Sequence, residues 1–236
     1  MLIKEFVFLE LKIILRGGGI LEIGCGAGRV YFYCKNKGFD IQAIETSKNA
    51  VDNILKIEPN AKISRESVCS MSFEDSFFDI VFAFGVYHNI ENVDDLTKAF
   101  KETKRVLKDN GVMVMSVRFH SVENRIIEYI AKKRSKNKFN QFHRWHFNRK
   151  DIVDFLGDDM HIIKEYYVRN VSFLFKLNFF RKNIDFNEAL ARKNGFKLNF
   201  IGELIDLVLH KMFPRLFSNL LVIIARKKEV KVGYLK

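Results

Sequence analysis

The sequence predicts an α/β protein whose parallel sheet is covered by helices on both faces. Three observations carry this reading. Short apolar runs alternate with helical periodicities from residue 20 to residue 117. A glycine-rich turn, Gly24-Cys25-Gly26-Ala27-Gly28, joins the first apolar run to the first helical stretch after it. An acidic residue, Glu45, closes the second run. With 236 residues, 48% of them hydrophobic, the chain is long enough to bury one large core, and disorder is excluded as its main state.

The elements follow in order. Leu2, Phe6, Leu9 and Ile13 recur at helical spacing, which predicts a helix over 2–15 ended by Gly17-Gly18-Gly19. Ile20–Gly24 reads as a short buried strand, residues 28–37 as a helix stopped by Gly38, and Ile41–Ile44 as a second strand. Ser47 caps a helix running to about Ile57. A third strand is expected near Ala61–Arg65 and a fourth over Phe78–Phe84. Asp94-Asp95 opens a helix with Arg105 and Lys108 at its far end, the polarity that suits the helix dipole. The turn Asp109-Asn110-Gly111 leads into a fifth strand, Val112–Val117. Beyond it, residues 121–134 read as a helix, and Asn148 with Asp151 forms a capping-box pattern. Ile162–Val168 and Leu220–Ala225 read as two further strands. Between them lie an aromatic run, Val171–Phe180, and an amphipathic stretch, Ile201–Phe213. No internal repeat or low-complexity linker divides the chain, so a single domain over 1–236 is expected.

Composition narrows the function classes. The three cysteines, Cys25, Cys34 and Cys69, form no CxxC pair, which fits a reducing, cytoplasmic setting and no metal site. The N-terminal residues lack the basic-then-apolar order of a signal peptide, and no apolar run is long enough to span a membrane. The formal charge is +12, and it is unevenly placed. Residues 1–120 hold 16 basic and 16 acidic side chains, whereas residues 121–236 hold 24 and 12. The excess includes Lys132, Lys133, Arg134, Lys136, Lys138, Arg144, Arg149 and Lys150. Such a field suits an anionic partner, whether a phosphorylated molecule, RNA or an acidic membrane face, or else it is a solvated surface.

The glycine turn is the main chemical signal. A dinucleotide site wants GxGxxG, but here the glycines fall at 24, 26 and 28, and Arg29 stands where the third would be. Glu22, two residues before the first glycine, is poorly suited to a pyrophosphate and well suited to an ammonium group. The ligand on this reading carries an amino-acid moiety. Glu45 can accept hydrogen bonds from both ribose hydroxyls, a feature both cofactor classes share.

Four segments, LEIGCGAG (21–28), Glu45 within AIETS, SFFDIVFAFGVYHNI (76–90) and ETKRVLKDNGVMVMSV (102–117), together resemble the class I S-adenosylmethionine-dependent methyltransferases. The nearest likeness is to the small-molecule and quinone-biosynthesis type. The resemblance implies a Rossmann-like, doubly wound sheet of seven strands, only the last antiparallel, with an insertion of about 170–215 between strands six and seven. It implies a cofactor-binding half, 1–120, and a substrate-facing half, 121–236. It implies S-adenosylmethionine as cofactor, with Glu22, Gly24, Cys25, Gly26 and Gly28 at the methionine end, Glu45 at the ribose and Thr46 beside the adenine. The family's adenine-binding Asp is replaced by Ser67, followed by Val68; Glu66 is the alternative. Phe84, Gly85 and Tyr87 would line the cofactor after strand four. His88, in the loop that runs close to the reactive methyl, is the candidate general base, or else a histidine that only stabilises its loop.

Phe142-His143-Arg144-Trp145-His146-Phe147 reads equally as a substrate cover, a lid packed on the core, or a base-stacking surface. His143 and His146 have no carboxylate or cysteine at ligand spacing, so they make no metal site. The insertion is expected to cap the acceptor site. The expected acceptor is a small molecule or lipid-linked compound, partly apolar and with an anionic group. RNA competes as acceptor, and a non-catalytic cofactor-binding protein is the other alternative. Apolar and cationic attraction in the insertion would add at an acidic membrane surface.

Overall fold

The computed structural model describes residues 19–134, 144–168, 172–182 and 197–229. The helix expected over 2–15, and His143, lie outside them. Seven strands form one sheet: β1 (Ile20–Ile23), β2 (Ile41–Ile44), β3 (Ile63–Ser64), β4 (Phe78–Phe84), β5 (Leu107–Arg118), β6 (Met160–Val168) and β7 (Leu220–Lys227). Their order is β3-β2-β1-β4-β5-β7-β6. Every pair from β3 to β5 is parallel, and β7 runs antiparallel to both of its neighbours. This is the expected sheet, with the chain reversing direction only in its last strand.

Helices α1 (Arg29–Asn36), α2 (Lys48–Ile57), α3 (Val93–Val106), α4 (Val122–Arg134), α5 (Arg149–Leu156) and α6 (Phe200–Met212) complete the frame. The central strands bury both faces, so each reads as a continuous apolar run. On one face Ile20, Ile80, Phe82 and Val114 pack with Tyr31 and Cys34 of α1 and Ile54 of α2. On the other, Leu21, Val81 and Met113 pack with Leu96 and Phe100 of α3 and Ile152 of α5. Leu96, Ala99, Phe100, Thr103 and Val106 form the buried stripe of α3, and that spacing is what a helix lying on a sheet requires.

Local chemistry sets the helix starts. Ser47 Oγ accepts from the Ala50 amide, and α5 has both halves of its capping box, Asn148 with Asp151. At α3 the cap is Asn92, whose Oδ1 accepts from the amides of Asp94 and Asp95. Two elements differ from expectation. The third strand shrinks to Ile63–Ser64 at the sheet edge. The Asp109–Gly111 turn lies inside β5, because Leu107 already pairs with Phe78 before it and Val112 pairs with Ile80 after it.

The insertion leaves and rejoins the sheet at one edge. Val168 pairs with Leu220, and Leu220 pairs with Arg118, the last residue of β5. Its described part therefore starts and ends at the C-terminal edge of the parallel strands. It packs on α4: the Phe173 amide donates to Glu123, the Glu123 amide donates to the Leu216 carbonyl, and Phe173 stacks with Phe217. Among the described residues, no helix is long and apolar enough to cross a membrane.

Candidate active site

The glycine turn sits at the C-terminal end of β1 and is held mainly by its own backbone. The amides of Gly24 and Cys25 donate to the Ile44 carbonyl, and that of Gly28 donates to the Cys25 carbonyl. The Gly26 amide donates to Glu45 Oε2 at 2.8 Å. These four donors are already satisfied, so the turn offers a shaped surface rather than the row of free N–H groups that a pyrophosphate needs. Gly24 (φ +66°) lies directly beneath Val86, where a Cβ would come within 2.8 Å of Cγ2. Gly26 (φ +53°) faces open space, with nothing within 4 Å of where a Cβ would stand.

Two carboxylates flank the turn. Glu22 is buried at the end of β1. Glu45 accepts from the amides of Gly26 and Ser47 and, at 3.3 Å, from Thr46 Oγ1. Burial raises its pKa, but the hydrogen bonds from Ser47 and Gly26 outweigh that and hold the carboxyl below its ordinary range. Cys25 lies between the two acids. Its thiol is pushed up to about 12, by burial first and then by Glu22 and Glu45, so it stays protonated and unreactive. Its side chain belongs to the core on the α1 face.

Beyond β2, Thr46 is exposed, and its carbonyl accepts from Arg65 Nε. Ser67 is exposed and caps its own loop, with Oγ accepting from the Cys69 amide, while Val68 is buried. Glu66 accepts from both the amide and the hydroxyl of Ser72 at 2.8 and 2.9 Å. Its carboxylate is thus committed to its own loop, and of the two residues that follow, Ser67 is exposed while Val68 packs in the core.

After β4, half-buried Phe84 stacks on Phe82. Gly85 (φ +78°) turns the chain, and its carbonyl accepts from the Asn89 side chain at 2.6 Å. Tyr87, expected to line the cofactor, is instead wholly buried under α3. Its ring stacks on Phe100 at 4.1 Å and its hydroxyl meets Thr103 Oγ1 at 2.9 Å, so no surface remains for a ligand.

His88 is 6% exposed, and its Nδ1 has no hydrogen-bond partner. Its Cε1 lies 3.8 Å from where a Cβ of Gly85 would stand, which puts the ring at the end of β4. Its pKa falls to about 4, through burial first and then Arg118, Arg144 and His146, so the ring is neutral at pH 7. The segment 144–147 crosses above it. The Trp145 amide donates to the His88 carbonyl, Trp145 Nε1 to the Ile90 carbonyl, and the Phe147 amide to the Arg118 carbonyl. His146 is tied to Glu128 at 3.0 Å. Among the described residues, no group of three His, Cys, Asp or Glu side chains is placed to hold a metal ion.

The sequence reading missed Arg118 and Asn89. Arg118 had a signal, since it is the charged residue that ends a buried strand on the ligand-binding edge of an open α/β sheet. A groove of about 1260 Å³ between α3 and α5 contains no residue of the glycine turn.

Comparison with known proteins gives this arrangement its family. The methyltransferase domain model matches residues 21–115, the span that carries the glycine turn, Glu45 and His88. Residues 21–115 are thus a methyltransferase domain, and the fold is that of the S-adenosylmethionine-dependent methyltransferases. An uncharacterized protein of Methanocaldococcus jannaschii is 24% identical over 233 residues, spanning 95% of this chain and 80% of that one. A demethylmenaquinone methyltransferase of Leptospira interrogans is 27% identical over 121 residues, 48% of this chain and 47% of that one. The crystal structure of an S-adenosylmethionine-dependent methyltransferase from Methanosarcina mazei superposes with a TM-score of 0.62 at 17% identity. It covers 93% of this chain and 97% of that one, and is alike in fold.

S-adenosylmethionine is the cofactor of this methyltransferase, and the site suits its charge. A sulfonium and an ammonium are cations, and Glu22 and Glu45 supply an acidic field on either side of a turn whose Gly26 face is open.

Proposed function

We propose that this methyltransferase acts on a small or lipid-linked acceptor held at the C-terminal edge of β4 and β5, on the side where the insertion leaves the sheet. The carrying observation is the position of His88. It stands at the end of β4, beside Gly85, while Val86 of the same loop rests on Gly24 of the glycine turn. One short loop therefore touches both the turn and the proposed acceptor space.

Glu22 and the Gly24–Gly28 turn would hold the methionine end, Cys25 through its backbone alone. Glu45 would take the ribose, and Thr46, Ser67 and Val68 would border the adenine. Phe84 and Gly85 would line the remaining wall. A bound cofactor would supply an electrophilic methyl carbon to the acceptor's lone pair, with a neutral thioether as leaving group. The protein's task is alignment and exclusion of water. His88 is neutral and able to accept a proton where the acceptor must lose one. A base this weak suits an acidic acceptor group.

The insertion supports an apolar, capped acceptor. Its α6 exposes Phe200, Ile201, Leu204, Leu207 and Met212, beyond what a link between strands needs. The likeness to a demethylmenaquinone methyltransferase agrees with that preference. The test is a methylation assay with radiolabelled S-adenosylmethionine against cell extract split into lipid, small-molecule and RNA fractions. Label in the lipid or small-molecule fraction supports the proposal, and label in RNA alone refutes it. No label in any fraction, with calorimetry showing no cofactor binding, would favour a non-catalytic role.

A further inference from the structure

We infer that the acceptor carries an anionic group, a carboxylate or a phosphate, received by Arg118, His88 and His146 at the C-terminal edge of β4 and β5. The inference rests on the methyl-transfer reading above and adds the chemical class of the acceptor. Three separate segments bring these groups together: the loop after β4, the end of β5, and the stretch before α5. Two backbone hydrogen bonds of 2.9 Å fix their meeting, Trp145 amide to His88 carbonyl and Phe147 amide to Arg118 carbonyl. A third, His120 amide to Phe147 carbonyl, adds His120 at the rim.

The side chains are arranged to receive a ligand rather than to satisfy one another. His88 is more than nine-tenths buried with Nδ1 unpartnered, and His146 Nε2 is buried and unpartnered as well. An imidazole nitrogen kept from water without a partner costs free energy, which a hydrogen-bonding ligand would recover. Arg118 is half-buried, and among the described residues no carboxylate lies within ion-pair distance of its guanidinium. The charged and titratable groups around His88 are Arg118, Arg144 and His146, and around His146 they are Glu128, Arg118, His120 and Arg144. Glu128 is the one acid among them, and it is bonded to His146. Burial, and then two arginines against one carboxylate, push these imidazoles toward the neutral form in a net positive pocket. An incoming anion reverses that balance, so it binds together with a proton. Arg215 of the insertion sits over the Tyr167 ring at 5.7 Å, and Tyr167 packs edge-on to Phe119, next to Arg118. The insertion thus adds a further cation on the same side.

A single recessed guanidinium between two imidazoles takes one anionic group and does not form the extended basic track that a nucleic-acid backbone requires. The experiment uses the full chain saturated with S-adenosylhomocysteine and titrates it calorimetrically with benzoate, phenyl phosphate and neutral benzamide. Each titration is repeated in two buffers of different ionisation enthalpy, which reads proton uptake. Benzoate or phenyl phosphate, whichever matches the true acceptor, should bind at least about tenfold tighter than benzamide, with net proton uptake near pH 6. Arg118→Gln should abolish that preference and the uptake while leaving S-adenosylhomocysteine affinity unchanged, and Arg118→Lys should keep part of both. If Arg118→Gln does not fold by circular dichroism, Arg144→Gln should still reduce the preference severalfold. Equal binding of all three probes, no probe binding at millimolar concentration, or an unaltered Arg118→Gln would overturn the inference. Failure of S-adenosylhomocysteine to bind would instead overturn the methyl-transfer reading beneath it.

Discussion

Glu45→Ala is the most informative single substitution, because the structure shows what the carboxylate holds before any ligand arrives. It accepts from the Gly26 amide at 2.8 Å, the Ser47 amide at 3.0 Å and Thr46 Oγ1 at 3.3 Å. A carboxylate has about four acceptor sites, so two ribose hydroxyls cannot simply be added to three existing donors. The long Thr46 bond is the one to yield. Two charge-assisted hydrogen bonds gained, at roughly 1.5–3 kcal/mol each, less one weak bond and the ordering cost, leave about 2–3 kcal/mol for the contact. Glu45→Ala should therefore weaken S-adenosylmethionine binding about 30- to 150-fold. Thr46→Val, which only frees an acceptor site, should leave binding equal or slightly tighter. Calorimetric titration with circular dichroism on both variants reads the result. A folded Glu45→Ala protein with the wild-type dissociation constant would refute the ribose role. The variant also loses the Gly26 anchor, and that part shows in stability. The carboxyl sits below its ordinary range in the folded state, so its contribution is full above that range. It is lost as pH falls through the lowered value, where wild type and Glu45→Ala should converge.

Three further outcomes are expected. Gly26→Val should abolish cofactor binding in a protein that still folds, because the side chain enters the open space above the turn and strains a backbone at φ +53°; normal binding by a folded variant would place the ligand elsewhere. Thr103 Oγ1 donates to the Ala99 carbonyl at 2.8 Å, so the Tyr87 hydroxyl donates to Thr103. Thr103→Val should then cost about 1–3 kcal/mol in urea denaturation by stranding that hydroxyl, with cofactor affinity unchanged; a loss of affinity would restore Tyr87 to the cofactor wall. The His88 pKa is lowered from 6.5 to about 4, so the unfolded chain binds a proton that the folded one does not. Its stabilising effect is complete above pH 6.5 and falls toward pH 4, by up to about 3 kcal/mol, in wild type and not in His88→Gln; parallel stability curves would contradict this.

The parts of the molecule legible in the sequence are those governed by local rules. Strand β4 matches its apolar run, α5 begins at its capping box, and the glycine turn lies between β1 and α1. These follow from periodicity, caps and turns, which are chemistry between near neighbours. What escaped depends on distant partners. The residue type of Tyr87 fits a ligand wall as well as a core, and only the packing of α3 over the ring decides between them. The Glu66 carboxylate accepts from the amide and hydroxyl of Ser72, six positions on, a commitment that no motif announces. Arg118 was overlooked because its neighbours, Arg144 and His146, lie more than twenty positions away. Two backbone bonds, rather than any motif, bring that segment over the strand ends.

The same edge of the sheet sorts charge along its length, and the sorting bears on the chemistry. Acid lies at the ends of β1 and β2, in Glu22 and Glu45, where on the proposed reading a cationic cofactor would be held. Base lies at the end of β5 and in the segment before α5, in Arg118 and Arg144, with His88 at the boundary between them. Methyl transfer removes the positive charge from sulfur. Cations on the acceptor side would oppose a sulfonium slightly, and Glu22 and Glu45 would offset that opposition. Burial first, and then the arginines that would receive an anionic acceptor, keep His88 unprotonated before that acceptor arrives. One set of fixed charges would thus orient the acceptor and set the protonation of the imidazole beside it.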